Sequence, residues 1–106
     1  MTTAAVFRQR VTLQQHVVGQ DEYGQPIDTW QDVATVWAAV EPLRGREYFA
    51  AHQVQAEVTT RIRIRYRRGI RPEMRVLYDG RVFNILSVID PEERHRELQL
   101  MCREVV

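Results

Sequence analysis

Hydrophobic and polar residues alternate along much of this chain, and alternation predicts strands. From Arg10 to Val18 the pattern puts Val11, Leu13 and Val17 on one face. The polar stretch from Gly19 to Pro26 has two glycines and a proline, which predicts a long hairpin loop. A second strand is expected from Thr29 to Val40, ended by Pro42, which has no N–H to give a ladder. The clearest signal runs from Val58 to Arg67. There Val58, Ile62, Ile64 and Tyr66 share one face, and Arg61, Arg63, Arg65 and Arg67 stand on the other, about 6.6 Å from one to the next. Gly69 and Pro72 mark the turn that follows.

Asp79-Gly80 then sits between two apolar runs, the strongest short hairpin signal. A two-residue turn there pairs Tyr78 with Arg81, Val76 with Phe83 and Met74 with Ile85. The apolar pattern and the turn chemistry thus give one register. Asp90 to Arg96 is a charged connection, and Glu97 to Val105 is the last strand, with Leu98, Leu100 and Cys102 alternating inward. Arg44 to Gln53 is the helix candidate, able to press Tyr48 or Phe49 with Ala51 onto a sheet. It is too short to stand without packing. Six strands and one short helix, joined mostly by hairpins, predict an all-β fold: a small six-stranded antiparallel β-barrel or a tight sandwich.

The 106 residues suit a single domain spanning 1–106. No apolar run approaches the ~20 residues of a membrane span, and the first residues lack a signal-peptide core. A soluble chain made in the cytoplasm is therefore expected, with no membrane partner. A lone cysteine, Cys102, excludes an internal disulfide and reads as a core residue. Net charge is +1, but its distribution is uneven. All fifteen basic residues are arginine, and Arg61–Arg75 holds seven of them against Glu73 alone. Asp21–Glu47 holds six acids against Arg44 and Arg46.

Little in the chain points to a reaction. His16, His52 and His95 lie far apart, without metal-ligand spacing. There is no nucleophile elbow, P-loop or dinucleotide fingerprint. Ser87, the sole serine, sits among apolar strand residues, which favours a packed hydroxyl over a nucleophile. No catalytic residue, metal or cofactor is expected. The arginine face has three readings: a solvated face paired across strands with Glu97 or Glu104, a subunit interface, or a phosphate-binding surface aided by Tyr66 and Tyr78. Trp30 and Trp37 are expected in the core. The loop around Asp21–Pro26 suits contact with a partner.

Several segments together resemble a known family. They are Arg10-Val11-Thr12-Leu13-Gln14, Asp21-Glu22-Tyr23-Gly24-Gln25, Trp30, Val36-Trp37-Ala38-Ala39-Val40-Glu41-Pro42, Gly45-Arg46-Glu47-Tyr48-Phe49-Ala50-Ala51, Ile62-Arg63-Ile64-Arg65-Tyr66, the Tyr78–Ile85 hairpin and Leu98-Gln99-Leu100-Met101-Cys102-Arg103-Glu104. In this order and spacing the chain resembles the head-tail joining (head completion, or stopper) proteins of tailed bacteriophages, prophages and gene transfer agents.

The resemblance implies a structural role in the virion, at the head–tail interface, for a protein made in the bacterial host. Copies would form a ring, dodecameric in the particle and monomeric when isolated, beneath the portal and its adaptor protein. The ring would close the DNA-filled head and dock the tail terminator or tail tube protein, with packaged double-stranded DNA passing through its channel. In such a ring the Gly19–Ile27 loop, with Asp21, Glu22, Tyr23, Gly24 and Gln25, is the candidate to enter the channel.

A closed ring requires two different patches of one chain to meet. The expected pair is the face of Arg61, Arg63, Arg65 and Arg67 against the acidic region of Asp21, Glu22, Asp32 and Glu41. The alternatives are a small nucleic-acid-binding barrel using the arginine face, and a tail completion protein.

Overall fold

The computed structural model describes residues 7–44 and 57–105. The strands are β1 (Gln9–Gln20), β2 (Pro26–Pro42), β3 (Thr60–Arg65), β4 (Arg75–Tyr78), β5 (Arg81–Ile89) and β6 (Glu97–Val105). They close into an antiparallel barrel in the order β1-β2-β3-β6-β5-β4. Closure removes the free edges that a sandwich would leave, so of the two expected architectures the barrel is realised. The helix expected over Arg44–Gln53 falls, after Arg44, outside the described residues. Among those described, the one helical element is a 3-10 turn at Pro91–Glu93.

The alternating patterns fill the barrel. Leu13, Ile62, Ile64, Val76, Phe83, Leu100 and Cys102 are fully buried and pack in one cluster. The β4–β5 hairpin has the expected register, Tyr78 opposite Arg81 and Val76 opposite Phe83. Its turn places both Asp79 (φ 50°) and Gly80 (φ 76°) in the left-handed region, as a two-residue hairpin with matching strand twist demands. β6 spans the expected residues, with Leu98, Leu100 and Cys102 inward.

Two expectations fail, for definable reasons. Neither tryptophan joins the core. On β2 the inward positions are taken by Val36, Ala38 and Val40, so the pleat turns Trp37 outward and leaves it 52% exposed. Trp30 lies beyond the barrel proper, half-buried against Arg75.

The expected long loop is also shorter than predicted. Strand pairing continues to Gln20 opposite Pro26, which leaves Asp21–Gln25 as the loop. Asp21 organises it. Its carboxylate accepts the N–H groups of Tyr23 and Gln25, each at 2.9 Å, and Gly24 supplies the positive φ of 79°.

This longer pairing creates a projecting arm. β1 pairs with β4 over Thr12–Gln14, and β2 pairs with β3 from Ala38 onward. Among the described residues, 15–20 and 26–31 therefore pair with each other alone, as a two-stranded ribbon. Six residue pairs extend about 20 Å, and the molecule is 52 Å long against 29 and 27 Å across. A register shift marks the ribbon's root. Leu13 faces Ala34 and Gln14 faces Asp32, leaving Val33 as an extra residue. Such a bulge bends a strand and sharpens its twist.

Burial pushes the Cys102 thiol well above its ordinary pKa. A neutral, enclosed thiol is a poor nucleophile. Iodoacetamide is expected to leave native protein unmodified and to alkylate Cys102 once urea unfolds the barrel, as read by mass spectrometry. Prompt alkylation without denaturant would mean that the barrel opens readily.

Candidate interaction surface

The arginines of β3 project outward because Ile62 and Ile64 point in, and their neighbours decide what each can do. Arg61 donates through Nε to Glu41 at 2.9 Å. Arg63 reaches two carboxylates, Glu41 at 2.9 Å and Glu97 at 3.1 Å. One ionic ladder therefore crosses β2, β3 and β6. Burial works against the Arg63 charge, but Glu97 and Glu41 outweigh it and raise its pKa above the usual value. The cross-strand pairing with Glu97 is thus present. Glu104 pairs instead with Arg81 of β5, through two hydrogen bonds of 2.9 and 2.8 Å.

That second pair has a pH signature. Arg81's hydrogen bonds hold the Glu104 carboxyl below the ordinary carboxylate range. A folded-state pKa depressed in this way stabilises fully above the unfolded carboxyl's value of about 4.3, and the contribution disappears as pH falls through the folded value. In an NMR titration Glu104 is expected to titrate below the ordinary carboxylate range, and Arg81→Gln is expected to raise it. An unshifted Glu104 in the wild type would show that the pair does not hold in solution.

Arg65 and Arg67 continue the row past the ladder. Among the described residues no carboxylate pairs with either, and Arg67 Nε is buried without a hydrogen-bond partner. Their surroundings are aromatic. Arg65 lines a cleft of about 450 Å³ with Phe7, Arg8 and Trp37. An adjoining cleft of about 260 Å³ shares Trp37 and Arg65 and adds Arg10, Tyr66 and Arg67. Arg10 lies over the Trp37 ring at 4.8 Å, a cation–π contact.

The expected acidic residues do not form one patch. Glu41 lies at the barrel end of β2, held in the ladder by Arg61 and Arg63 of its own chain. Asp32, at the ribbon root, accepts from Gln14 Nε2 at 2.7 Å, and Gln14 in turn accepts from Arg75 Nε at 2.7 Å. Arg75 covers the Trp30 ring at 4.1 Å, which braces the root. Asp21, Glu22, Tyr23, Gly24 and Gln25 lie together at the ribbon's tip, with Tyr23 81% exposed. Asp28 is nearby, 3.4 Å from His16.

Sequence reasoning missed the Trp37 cleft because it placed that ring inside. The signal was available: Trp37 has the opposite parity to Val36 and Ala38. Among the described residues no three His, Cys, Asp or Glu side chains group as a metal site would require. Ser87 is half-buried in β5, and His52 lies outside the described residues. No described helix is long and apolar enough to cross a membrane.

Residues 2–105 match the sequence profile of a family described as phage head completion protein. The chain is 28% identical over 102 residues to head completion protein gp7 of Enterobacteria phage HK97, which covers 92% of this chain and 91% of that protein. It is 30% identical over 77 residues to head completion protein gp16 of Bacillus phage SPP1, covering 73% and 71%. Among solved structures, protein SF1141 from Shigella flexneri 2a matches with a TM-score of 0.78 at 30% identity, over 97% of this chain and 96% of that one. A chain of the native gene transfer agent virion matches with a TM-score of 0.60 at 25% identity, over 93% and 96%.

Proposed function

The chain belongs to the phage head completion protein family, structural components of phage or gene transfer agent particles, and from that premise we propose that its copies close into a ring beneath the portal and its adaptor, retain the packaged DNA and give the tail a docking surface. The role is performed by surfaces and needs no reaction. The observation that carries this reading is the ribbon. A closed barrel satisfies its own strands, yet this one extends a two-stranded arm that, among the described residues, pairs with no third strand of its chain. An isolated two-stranded hairpin is marginal in water, so such an arm gains most of its order from a neighbour.

The arm also suits a ring. It ends in carboxylates, whereas the barrel wall carries arginines, so unlike surfaces are available for the head-to-tail contact that cyclic symmetry requires. A free nucleic-acid-binding barrel has less support. Arg61, Arg63 and Arg81 already hold carboxylates of their own chain. A binder neutralising several phosphates would lose affinity steeply between low and moderate salt, and no such binding to free DNA is expected.

The direct test is removal. Heads assembled without this protein are expected to fill, then leak DNA and lack tails in electron micrographs, and added purified protein is expected to restore tailed particles. Intact, infectious, tailed particles in its absence would overturn the proposal.

A further inference from the structure

Among the described residues, two groups of opposite charge without an arginine–carboxylate pair lie far apart along β2. At the tip, Asp21, Glu22 and Asp28 occur in a stretch, Val17 to Thr29, that contains no arginine or lysine. On the barrel, Arg65 and Arg67 line the two clefts at Trp37, and among the described residues no carboxylate lines either cleft. The carboxylates that could have answered Arg65 are taken, since Glu97 and Glu41 both bind Arg63. Each end also shows a large aromatic surface to water, Tyr23 at the tip and Trp37 in the cleft.

Within one chain these ends cannot meet. Pro26 and Trp37 are the same strand, and eleven residues of strand hold them about 36 Å apart. The bulge at Val33 bends β2 but does not fold it back, because β1 pairs along it on both sides of the bulge. Complementary surfaces held apart by a stiff strand can be joined only in trans. The contact is then heterologous, tip to wall, and repeats from copy to copy as a closed ring requires.

We propose that the ribbon tip of one copy, Asp21-Glu22-Tyr23, seats in the arginine-rimmed Trp37 cleft of the next copy. This rests on the ring reading above and names the contact that closes the ring. Glu22 meets Arg65 and Arg67, and Tyr23 packs beside the Trp37 ring that Arg10 covers from the other strand. Asp21 keeps its place capping the tip turn, so its carboxylate shapes the loop. The ladder arginines Arg61 and Arg63 stay within their own subunit, which narrows the interface to the far end of the β3 row.

The test is made in assembled particles. Protein carrying Glu22→Cys and Arg65→Cys is used to complete heads, which are then treated with a short bis-maleimide. Cys102 is fully buried and stays unmodified. The monomer band is expected to give way to a ladder of covalent multimers, and either single variant is expected to give none. In parallel, Arg65→Glu and Glu22→Arg are each expected to lower head completion at least about tenfold, because like charges then face each other, and the two together are expected to restore it.

Completed heads without interchain cross-links would overturn the tip-in-cleft contact while leaving the ring reading standing. So would cross-links that join Arg65→Cys to a different virion protein. If the cysteine pair blocks completion, the charge exchange decides: no rescue by the double reversal overturns the contact. A loss confined to Arg65→Glu, accompanied by weakened salt-sensitive DNA binding, would assign the cleft to phosphates instead. Normal particles made without the protein would refute the ring reading itself.

Discussion

Phe83→Ala is expected to destabilise the barrel by about 3–5 kcal/mol, the range for truncating a buried aromatic. Among the described residues Phe83 is the largest of the fully buried side chains, and from β5 its ring lies in the core cluster inside the barrel. Small barrels fill their interior with side chains, so few neighbours can relax into the void. A domain of this size is stable by about 5–15 kcal/mol in total, so the loss takes a large share. Asn84, the next residue, is turned outward opposite Arg75 and Arg103. Asn84→Ala is expected to cost about 1 kcal/mol or less. Urea unfolding of both variants reads the difference directly. Similar losses at the two positions would mean that β5 does not alternate as described.

That contrast depends on parity, and parity is also what made much of this fold readable in the sequence. In β3 each arginine alternates with a β-branched apolar residue, so a one-residue slip would bury guanidinium groups, and a single register is possible. At Asp79-Gly80 the turn fixes the pairing independently and agrees with it. β2 was harder. Trp37, Ala38, Ala39 and Val40 are all apolar, so hydrophobicity alone does not say which face is inward. Size does, once the closed barrel is known. With Phe83, Leu13 and the β3 isoleucines already inside, the interior accepts Ala38 and leaves the indole outside.

The functional surface was legible in part for the same reason. Arg61, Arg63 and Arg65 do share a face of β3, while Arg67, expected in the same strand, lies past its end. Their division into a ladder and a cleft depends on residues from other strands. Glu41 lies twenty positions before Arg61 in the chain yet pairs with it directly across β2 and β3. Counting charge along the sequence placed Glu41 in an acidic region, whereas the sheet places it among arginines. The arm was hidden too. Alternation shows where a strand runs, but not where its neighbours stop pairing, and the ribbon is defined by β4 and β3 ending at Gln14 and Ala38. Gly19, Gln20 and Pro26 read as loop residues because they have no core to face.

The separation of arm from barrel can be tested by cutting one away. Replacing residues 18–28 with an Asn-Gly turn makes Val17 and Thr29 the closing pair, in a hairpin geometry that this dipeptide favours. The root survives, because Gln14, Asp32, Arg75 and Trp30 all remain. Apart from the exposed Asp28–His16 contact, the removed residues pair in the ladder only with each other, so the unfolding free energy is expected to change by about 1 kcal/mol or less. Head completion by this variant is expected to fall by orders of magnitude, since the tip that reaches a neighbour is gone. A truncated protein that unfolds would show that the ribbon belongs to the barrel's folding unit. A truncated protein that folds and still completes heads would remove the arm from the function altogether. The predicted combination, normal stability with lost assembly, arises only if the barrel carries the fold and the arm makes the contact.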